Sequence, residues 1–206
     1  MMEANSRQRH TWIISDTHFG HMKMCEYCDR PKDFNQRIVR HWQAMIAPED
    51  LVYHLGDVGW INRNLLADII RVLPGTKILI KGNHDGEKSN WYLNHGFAAV
   101  MSFAAVVSRT NMRKKGEHFL YTRVLLSHRP MEIPKLGGYK TINIHGHFHN
   151  HHPKQCSQQE CIGVLTPDHY LFSLESTKYK PVLLNRAVRD GWVLPFRGME
   201  KQWLKN

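Results

Sequence analysis

The first hundred residues of the chain alternate between two hydrophobic patterns. Short apolar runs, typical of buried strands, lie at residues 11–15, 50–55 and 76–81. Between them, apolar side chains recur at helical spacing over residues 34–46 and 62–73. The pattern therefore predicts strand, helix, strand, helix, strand, which is how an open α/β sheet begins.

The second half of the chain has a different texture. After a short helix expected at residues 91–96, clusters of Gly, Pro and Asn separate short β-rich runs. These runs lie at residues 100–107, 119–126, 141–144, 170–173 and 182–184. No internal repeat or long linker interrupts them, so we expect both halves to belong to one folded unit.

Length and composition favour a single domain at residues 11–206, preceded by a polar tail at residues 1–10. The basic stretch at residues 190–206 is expected to dock loosely on this domain. The longest nearly apolar run, residues 97–107, is far shorter than the roughly 20 residues that span a bilayer. With no secretory signal in the polar tail, we expect a cytoplasmic protein.

The chain is basic, with 28 Lys and Arg against 18 Asp and Glu, a formal net charge of +10. Such a surface attracts anions, including nucleic acids, nucleotides and other phosphorylated molecules. Charge by itself does not choose among these partners, and a solvated basic surface with no specific partner is the alternative.

Four cysteines are arranged as two close pairs. They are Cys25, Cys28, Cys156 and Cys161. Reduced thiols are the favoured interpretation for a cytosolic protein. The alternative is a structural zinc site made from both pairs, although the wider spacing of the second pair is weak evidence for one.

Five short segments place a metal-capable side chain beside a turn-forming or small residue, and four of them directly follow a predicted strand. They are Asp16-Thr17-His18, Gly56-Asp57, Gly82-Asn83-His84-Asp85, Ser127-His128 and Gly146-His147-Phe148-His149. Ligands bind at the carboxyl ends of strands in open α/β sheets. Carboxylates, a carboxamide and imidazoles delivered from several strand ends predict a two-metal hydrolytic site.

Two neighbouring cations require one anionic ligand between them, and Asp57 suits that bridging position. Asn83 supplies a neutral oxygen, and His147 and His149 fit one imidazole for each metal. His84 is then left over, and so is available to handle protons. The predicted metal ligands are Asp16, His18, Asp57, Asn83, His128, His147 and His149.

These segments, in this order, resemble the calcineurin-like metallophosphoesterase superfamily over residues 16–149. The sequences of residues 15–21, 30–31 and 52–57 are similar to those of the small bacterial and phage phosphoesterases of that superfamily. Residues 172–184 look like the last strands of that group. The resemblance implies a four-layer α/β/β/α sandwich with two facing mixed β-sheets.

The resemblance also implies how the site residues divide between two metals. Asp16, His18, Asp57 and His149 would hold one ion, and Asp57, Asn83, His128 and His147 the other. His84 would contact the phosphate and protonate the leaving oxygen, while Asp85 would orient its neighbours without binding metal.

The function implied is hydrolysis of phosphate mono- or diesters, with nucleotides as a candidate substrate, by a hydroxide that bridges the metals. We expect Mn²⁺, with Fe, Zn, Ni or Mg as alternatives. A nuclease or phosphodiesterase acting on nucleic acid, and a metal-free binding scaffold, are the competing hypotheses. The sequence does not predict the oligomeric state.

Residues around these segments are given roles with less support. His21, Arg30 and Arg129 are candidate contacts to the substrate phosphate. His54 is expected to be a hydrogen-bonded core histidine. Trp12, Trp42 and Trp60 are expected to fill the core, although Trp60 is close enough to Asp57 in sequence to border the pocket.

Overall fold

The hydrophobic runs of the first half of the chain form one five-stranded sheet. The structure is a computed structural model that describes residues 8–114, 117–135, 139–150, 163–187 and 194–195. The strands of this first sheet are, in spatial order, β4 (Phe97–Met101), β3 (Thr76–Ile80), β2 (Leu51–His54), β1 (Thr11–Ile14) and β9 (Val182–Leu183). The first four are parallel and β9 is antiparallel to β1.

The runs of the second half form a second sheet, also of five strands. In spatial order these are β10 (Leu194–Pro195), β8 (His169–Leu171), β7 (Lys140–His145), β6 (Glu117–Ser127) and β5 (Phe103–Lys114). Strands β6, β7 and β8 are parallel, and the two edge pairings are antiparallel. Two mixed sheets with helices confirm the predicted fold class.

Helices occupy the connections between strands. They are α1 (Met24–Tyr27), α2 (Phe34–Met45), α3 (Arg63–Val72), α4 (Ser89–Asn94) and α5 (Leu184–Ala187). Helix α2 packs on the first sheet through Trp42, whose ring stacks on His54 with 6.4 Å between centroids. The Trp42 indole also donates to Pro74 O at 2.9 Å, which ties α2 to the segment that follows α3.

The predicted strand at residues 100–107 is wrong in one respect, because the chain changes sheets inside it. Strand β4 ends at Met101 as a partner of β3, and β5 begins at Phe103 as a partner of β6. Ser102 therefore lies at the crossover between the two sheets. A continuous apolar run carries no signal that distinguishes one strand from two consecutive strands in different sheets.

Both sheets contribute to one buried core. Ile14 and Leu55 from the first sheet belong to the same cluster as Leu126 and Ile144 from the second, and all four are fully buried. Register aligns the strand ends within each sheet, with Ile14 opposite His54. The carboxyl ends of β1, β2 and β3 therefore lie along one edge of the first sheet, next to the ends of β6 and β7.

A buried carboxylate lies at the opposite edge of the first sheet, where the parallel strands begin. Asp50, fully buried, precedes β2 and accepts hydrogen bonds from the His10 amide (2.9 Å), the Trp12 indole (2.9 Å) and the Ala47 amide (3.0 Å). Burial by itself would raise the pKa of Asp50, but these donors hold it below the ordinary value. This carboxylate is thus stabilised in its charged form by the protein alone.

Candidate metal centre

The ends of β1, β2 and β3 bring the first three sequence segments together. Parallel pairing continues past the strands, since the Asp16 amide donates to Gly56 O (2.9 Å) and the His18 amide to Asp57 O (3.0 Å). From beyond β3, the His84 amide donates to Asp57 Oδ1 at 2.9 Å. Segments far apart in sequence are therefore held in fixed register around the Asp57 carboxylate.

The second sheet contributes the last two segments and is bonded to the first at this point. The Gly146 amide donates to His128 O at 3.0 Å, which joins the ends of β6 and β7. The His147 amide lies 3.2 and 3.1 Å from the two oxygens of the Asp16 carboxylate. All five segments predicted from the sequence thus meet at one place, between the two sheets.

Asp57 lies at the centre of this cluster and is buried. Its Oδ2 faces Nε2 of His18 at 3.5 Å and Nε2 of His128 at 3.4 Å, one histidine from each sheet. Burial raises the pKa of Asp57 to about 6; His128 opposes the rise, and the Asp16 carboxylate adds to it. The charged form of Asp57 is therefore poorly stabilised by the protein and would gain from a nearby cation.

The hydrogen bonds of His128 fix which ring nitrogen carries a lone pair. Nδ1 lies 2.8 Å from Leu55 O, and a carbonyl oxygen only accepts, so in the neutral tautomer the hydrogen is on Nδ1. The lone pair on Nε2 then points at Asn83 Oδ1, 3.0 Å away, as well as at Asp57 Oδ2. Three acceptors converge on one point, which is the arrangement that a divalent cation satisfies.

His18 is buried, and neither of its ring nitrogens has a hydrogen-bond partner in the described part of the chain. Burial lowers the pKa of His18 well below its usual value, and His149 and Arg30 lower it further. The ring is therefore neutral, with a lone pair near the Asp57 and Asp16 carboxylates. Because an unpartnered buried nitrogen is costly, this geometry favours a bound ion.

The acceptors form two adjoining groups. Ligand atoms of Asp16, His18 and His149 all lie within 4.8 Å of one another, and so do those of Asp16, Asp57 and His128. The His147 ring lies beside the second group, 5.1 Å between centroids from His128. Both carboxylates thus lie between two sets of imidazoles, and Asp57 Oδ2 is close to histidines of each set.

His149 is the histidine of the site with acidic groups on both sides. Its Nε2 is 3.7 Å from Asp16 Oδ1, and its Nδ1 is 3.4 Å from Glu175 Oε1. Burial would lower the pKa of His149, but these two carboxylates raise it well above its usual value. The surroundings of this ring therefore favour positive charge, as expected next to a cation site.

Backbone strain is concentrated at the same residues. Five of the seven predicted ligands have left-handed backbone angles, with φ between 46° and 74°. They are Asp16, His18, Asp57, His147 and His149. Each such conformation costs a non-glycine residue on the order of 1 kcal/mol and persists where the surrounding structure enforces it. The turns after the strands are therefore shaped to aim side chains inward, at the expense of local stability.

Two glycines allow the close approach of these turns. At Gly56, with φ of 96°, an added Cβ would lie 2.5 Å from Gly82 N and 2.8 Å from His128 Nδ1. At Gly146 it would overlap the Asp16 carboxylate. Any side chain at either position would displace a predicted ligand.

Comparison with known proteins agrees with this geometry. The family model described as the calcineurin-like phosphoesterase superfamily domain matches residues 10–167. This chain belongs to that superfamily. The match extends from before β1 to beyond the fifth metal segment, so it includes all seven predicted metal ligands and His84. Members of the superfamily are generally metal-dependent phosphoester hydrolases that bind divalent metals.

Individual relatives extend over most of the chain. An uncharacterized protein of Methanocaldococcus jannaschii is 28% identical over 194 residues, covering 88% of this chain and 90% of its own length. The gene 66 protein of Mycobacterium phage L5 is 27% identical over 173 residues, covering 68% and 77%. A crystal structure of a protein of unknown function from Aquifex aeolicus superposes with a TM-score of 0.59 at 29% identity, covering 85% and 95%.

The residues of this site fit divalent metal ions. The test is the chemistry of the donors: ring nitrogens of His18 and His128 face the oxygens of Asp57 and Asn83, and neither ring nitrogen of His18 has a hydrogen-bond partner among the described residues. Asp85 stands apart, because its carboxylate accepts from the amides of Asp57, Val58 and Gly82 at 2.7 to 3.0 Å. Asp85 orients the turns, and its oxygens are already satisfied.

Arg30 lies behind the site and is buried. Its guanidinium donates to Asp16 O (2.8 Å), to Thr17 O (3.0 Å) and to Glu175 Oε1, and it approaches His149 Nδ1 at 3.3 Å. Burial would raise the pKa of Glu175, but His149 and Arg30 lower it to about 2. Arg30 therefore faces the protein interior, and its N–H donors are used within this network. The prediction that it contacts the substrate phosphate is wrong.

Glu175 is a site residue that the sequence analysis missed. It forms an ion pair with Arg30 at 2.7 Å although the two are 145 positions apart. Asp29 before Arg30 and the residues 178–179 after Glu175 also have left-handed backbone angles. Residues 30–31 and 172–184 both resemble one group of phosphoesterases, and this was the only sign in the sequence that they matter. The resemblance did not indicate that Arg30 and Glu175 are in contact.

The other two candidate substrate contacts lie on opposite sides of the centre. His21 stacks on Trp60, with 5.3 Å between centroids, and is 5.5 Å from His18. Arg129 lines an open cleft together with Asn83 and Phe103. The prediction that Trp60 fills the core is wrong, because the residue is 55% exposed. Trp12 and Trp42 are buried as predicted.

His54 is the hydrogen-bonded core histidine that was predicted. The Gly56 amide donates to its Nδ1 at 3.1 Å, so Nε2 carries the hydrogen and donates to Thr17 Oγ1 at 2.9 Å. Thr17 Oγ1 donates in turn to Val58 O at 2.7 Å. Burial lowers the pKa of His54 to about 4, so the ring is neutral and supports the turns that carry the ligands.

The structure gives no support to the alternative of a zinc site. Cys25 and Cys28 form no disulfide within the described residues, and Cys156 and Cys161 lie outside them. The Cys28 sulfur lies near His149 and Glu175, but Glu175 is already paired with Arg30.

Within the described ranges, no helix combines the length and apolar character needed to cross a bilayer. Of the segment expected to dock loosely, residues 194–195 form β10, and the rest lies outside the described residues.

Proposed function

We propose that this phosphoesterase is a two-metal phosphohydrolase acting on a small phosphate ester, with a nucleotide as the leading substrate. The observation that carries the proposal is the set of buried acceptors facing one another around Asp57: two imidazole nitrogens from opposite sheets point at a carboxylate with a raised pKa. A protein with no cation to bind has no reason to bury such a set.

The division of ligands that we propose is the one implied by the family resemblance, with Asp57 shared because its Oδ2 lies close to His18 and to His128. Asp16, His18, Asp57 and His149 would hold one ion, and Asp57, Asn83, His128 and His147 the other. When bound, two divalent cations supply a nucleophile at neutral pH and offset the charge that develops on the phosphoryl oxygens. We expect Mn²⁺ to support activity, because four imidazoles favour transition metals over Mg²⁺.

We assign His84 the transfer of a proton to the leaving oxygen. The residue is exposed at the rim of the cluster, and its ring lies 5.6 Å from that of His18. Its backbone amide is fixed by Asp57 Oδ1, so the imidazole is presented at a constant distance from the ligands. A positioned imidazole of this kind contributes roughly 10²- to 10⁴-fold to a rate.

We assign Arg30 a positioning role in place of the predicted substrate contact. Its guanidinium holds the carbonyl groups of Asp16 and Thr17, and so supports the left-handed turn that aims Asp16 and His18. His21 and Arg129 remain candidate contacts to the phosphate.

The proposal is tested by assaying Mn²⁺-loaded protein against p-nitrophenyl phosphate, its bis-ester, nucleoside monophosphates, cyclic nucleotides and short DNA or RNA. We expect turnover of at least one small ester that is lost in Asp57→Asn and strongly reduced in His84→Ala. Asp50→Asn is the matched control, because it also neutralises a buried carboxylate of the first sheet but lies at the opposite edge. Full activity in Asp57→Asn would overturn the proposal.

The charge of +10 favours one competing function, cleavage of nucleic acid. The same assay distinguishes it through salt. Binding to nucleic acid weakens steeply with salt because counterions are released from the phosphates, whereas turnover of a small ester changes little. Cleavage of DNA or RNA in preference to every small ester, with a steep salt dependence, would favour the nuclease.

A further inference from the structure

Beside the metal centre lies a group of aromatic side chains, two of which are exposed and have no role in the chemistry described so far. We define it as the aromatic shelf, consisting of Tyr27, His21 and Trp60. Tyr27 and Trp60 are 52% and 55% exposed. Among the described tryptophans, Trp12, Trp42 and Trp91 are all buried, so the exposure of Trp60 is unusual within this chain.

The shelf is continuous with the residues assigned to catalysis. The Trp60 ring lies 5.0 Å from the His84 ring and 5.3 Å from the His21 ring, on which it stacks at an interplanar angle of 23°. His21 in turn lies 5.5 Å from His18, and the edge of its ring meets Tyr27 at 6.2 Å. The shelf therefore begins at the proposed proton donor and extends outward from it.

Trp60 is held rigidly although its side chain is exposed. Its amide donates to Phe19 O at 2.9 Å, next to an isolated bridge between Phe19 and Gly59. A Cβ on Gly59 would lie 3.1 Å from Phe19 O, and one on Gly20 would lie 2.6 Å from Ile61 Cβ. The backbone on both sides of Trp60 is thus packed against the segment that carries His18, so the side chain projects from a fixed point.

From this arrangement we infer that the aromatic shelf binds a flat ring of the substrate, and that the substrate is a phosphate ester carrying a nucleobase. The inference rests on the proposed function, since it places the phosphate at the metal centre. An exposed indole next to the leaving-group side offers a π-face to a base, whereas a sugar phosphate or alkyl phosphate has no flat aromatic ring to place there. The basic character of the chain attracts the phosphate end of the same molecule.

The test compares two phosphate esters that differ by the base: adenosine 5′-monophosphate and ribose 5-phosphate. Stacking on an aromatic side chain contributes about 1–3 kcal/mol per base, so Trp60→Ala should lower kcat/KM for the nucleotide by roughly 5- to 150-fold. The value for ribose 5-phosphate should stay within about twofold of the wild type, and Trp60→Phe should recover most of the loss. Because Trp60 is exposed, the variant should fold normally.

Tyr121→Ala is the matched control, because Tyr121 is 49% exposed but lies in β6, several residues from its end at the metal centre. It should change neither substrate. Equal losses for both substrates in Trp60→Ala, or no loss for either, would overturn the inference.

A binding measurement keeps this inference separate from the proposed function. Calorimetric titration of the Mn²⁺-loaded protein with each phosphate should show tighter binding of the nucleotide in the wild type and loss of that preference in Trp60→Ala. If neither ester is hydrolysed but the preference is present, the proposed reaction fails for these substrates and the shelf assignment stands. If the wild type binds both phosphates equally, the shelf assignment is wrong.

Discussion

Two buried aspartates at opposite edges of the first sheet differ in how the protein treats their charge. Asp50, at the amino edge, accepts three hydrogen bonds from N–H groups, and its pKa is lowered. Asp57, at the carboxyl edge, faces the ring nitrogens of two histidines, and its pKa is raised to about 6. The same residue type, equally buried, is satisfied at one edge and left in need of a cation at the other.

The difference separates a carboxylate that stabilises the folded protein from one that is suited to binding metal. At the amino edge the neighbours of the carboxylate are donors in ordinary backbone conformations. At the carboxyl edge Asp57 Oδ1 accepts from the His84 amide, but its Oδ2 faces ring nitrogens, and five of the predicted ligands lie on left-handed turns, which store strain. A region that is unfavourable without a ligand and favourable with one gains stability when the ligand binds, so metal loading should stabilise this protein.

The largest expected effect is that of Asp57→Asn on activity. Removing the negative charge shared by the two metal groups should lower kcat/KM by roughly a thousandfold or more, since the metals supply several kcal/mol of the catalysis. In chelator the variant should be no less stable than the wild type, because the charge it removes is poorly stabilised there. Steady-state kinetics and thermal melts with and without Mn²⁺ measure both effects. A large loss of stability in chelator would contradict the comparison.

Arg30→Gln should have the next largest effect on activity, although the residue does not face the substrate. Residues that orient metal ligands typically contribute 10- to 100-fold in metal affinity or activity, so we expect a loss in that range, with weaker Mn²⁺ binding measured by calorimetry. Arg37→Gln, which breaks an exposed pair with Asp33, is the control and should have no effect. Since Arg30→Gln leaves Glu175 buried without its arginine partner, the double variant with Glu175→Gln should recover stability but not metal affinity.

Asp50→Asn should affect stability and leave the chemistry unchanged. Losing the charge from a carboxylate that accepts three N–H bonds should cost about 2–4 kcal/mol in the free energy of unfolding. At temperatures where the variant is folded, kcat should match the wild type within about twofold, because Asp50 lies at the far edge of the sheet. Urea denaturation and kinetics on the same preparation test this. A kcat loss comparable to that of Asp57→Asn would remove the distinction between the two edges.

The smallest expected effect is a pH dependence of that stability difference. The folded pKa of Asp50 lies below its unfolded value of about 3.8, so its contribution is fully present above that pH and is lost as the pH falls through the folded pKa. The difference in unfolding free energy between wild type and Asp50→Asn, measured in chelator, should therefore be constant above about pH 5 and shrink below about pH 4. A difference that stays constant down to pH 3 would show that the charge of Asp50 is not responsible.

The strand ends and the chemistry beside them were predictable from the sequence because both are local. An apolar run followed by Gly56-Asp57 or Gly146-His147 specifies a strand, a tight turn and a metal-capable side chain within a few residues. Parallel order then brings these turns to one edge. The family resemblance added the division of ligands between two metals.

Features that depend on contacts distant in sequence were not predictable. The Arg30–Glu175 pair joins positions 145 apart, and neither residue has a local pattern that indicates the other. Trp60 was expected in the core because its sequence context does not show that its neighbours Gly59 and Ile61 pack against Phe19 and Gly20. The crossing from β4 to β5 lay within one apolar run, where burial in either sheet has the same sequence signature.

The central claim is that the acceptors around Asp57 form a site for two divalent cations. It is tested most directly by titrating chelator-treated protein with Mn²⁺ in a calorimeter, with bound metal counted by elemental analysis. We predict two Mn²⁺ per wild-type chain, a marked loss of both in Asp57→Asn, and two again in Asp50→Asn. Absence of Mn²⁺ binding in the wild type, or two ions bound with unchanged affinity in Asp57→Asn, would contradict it.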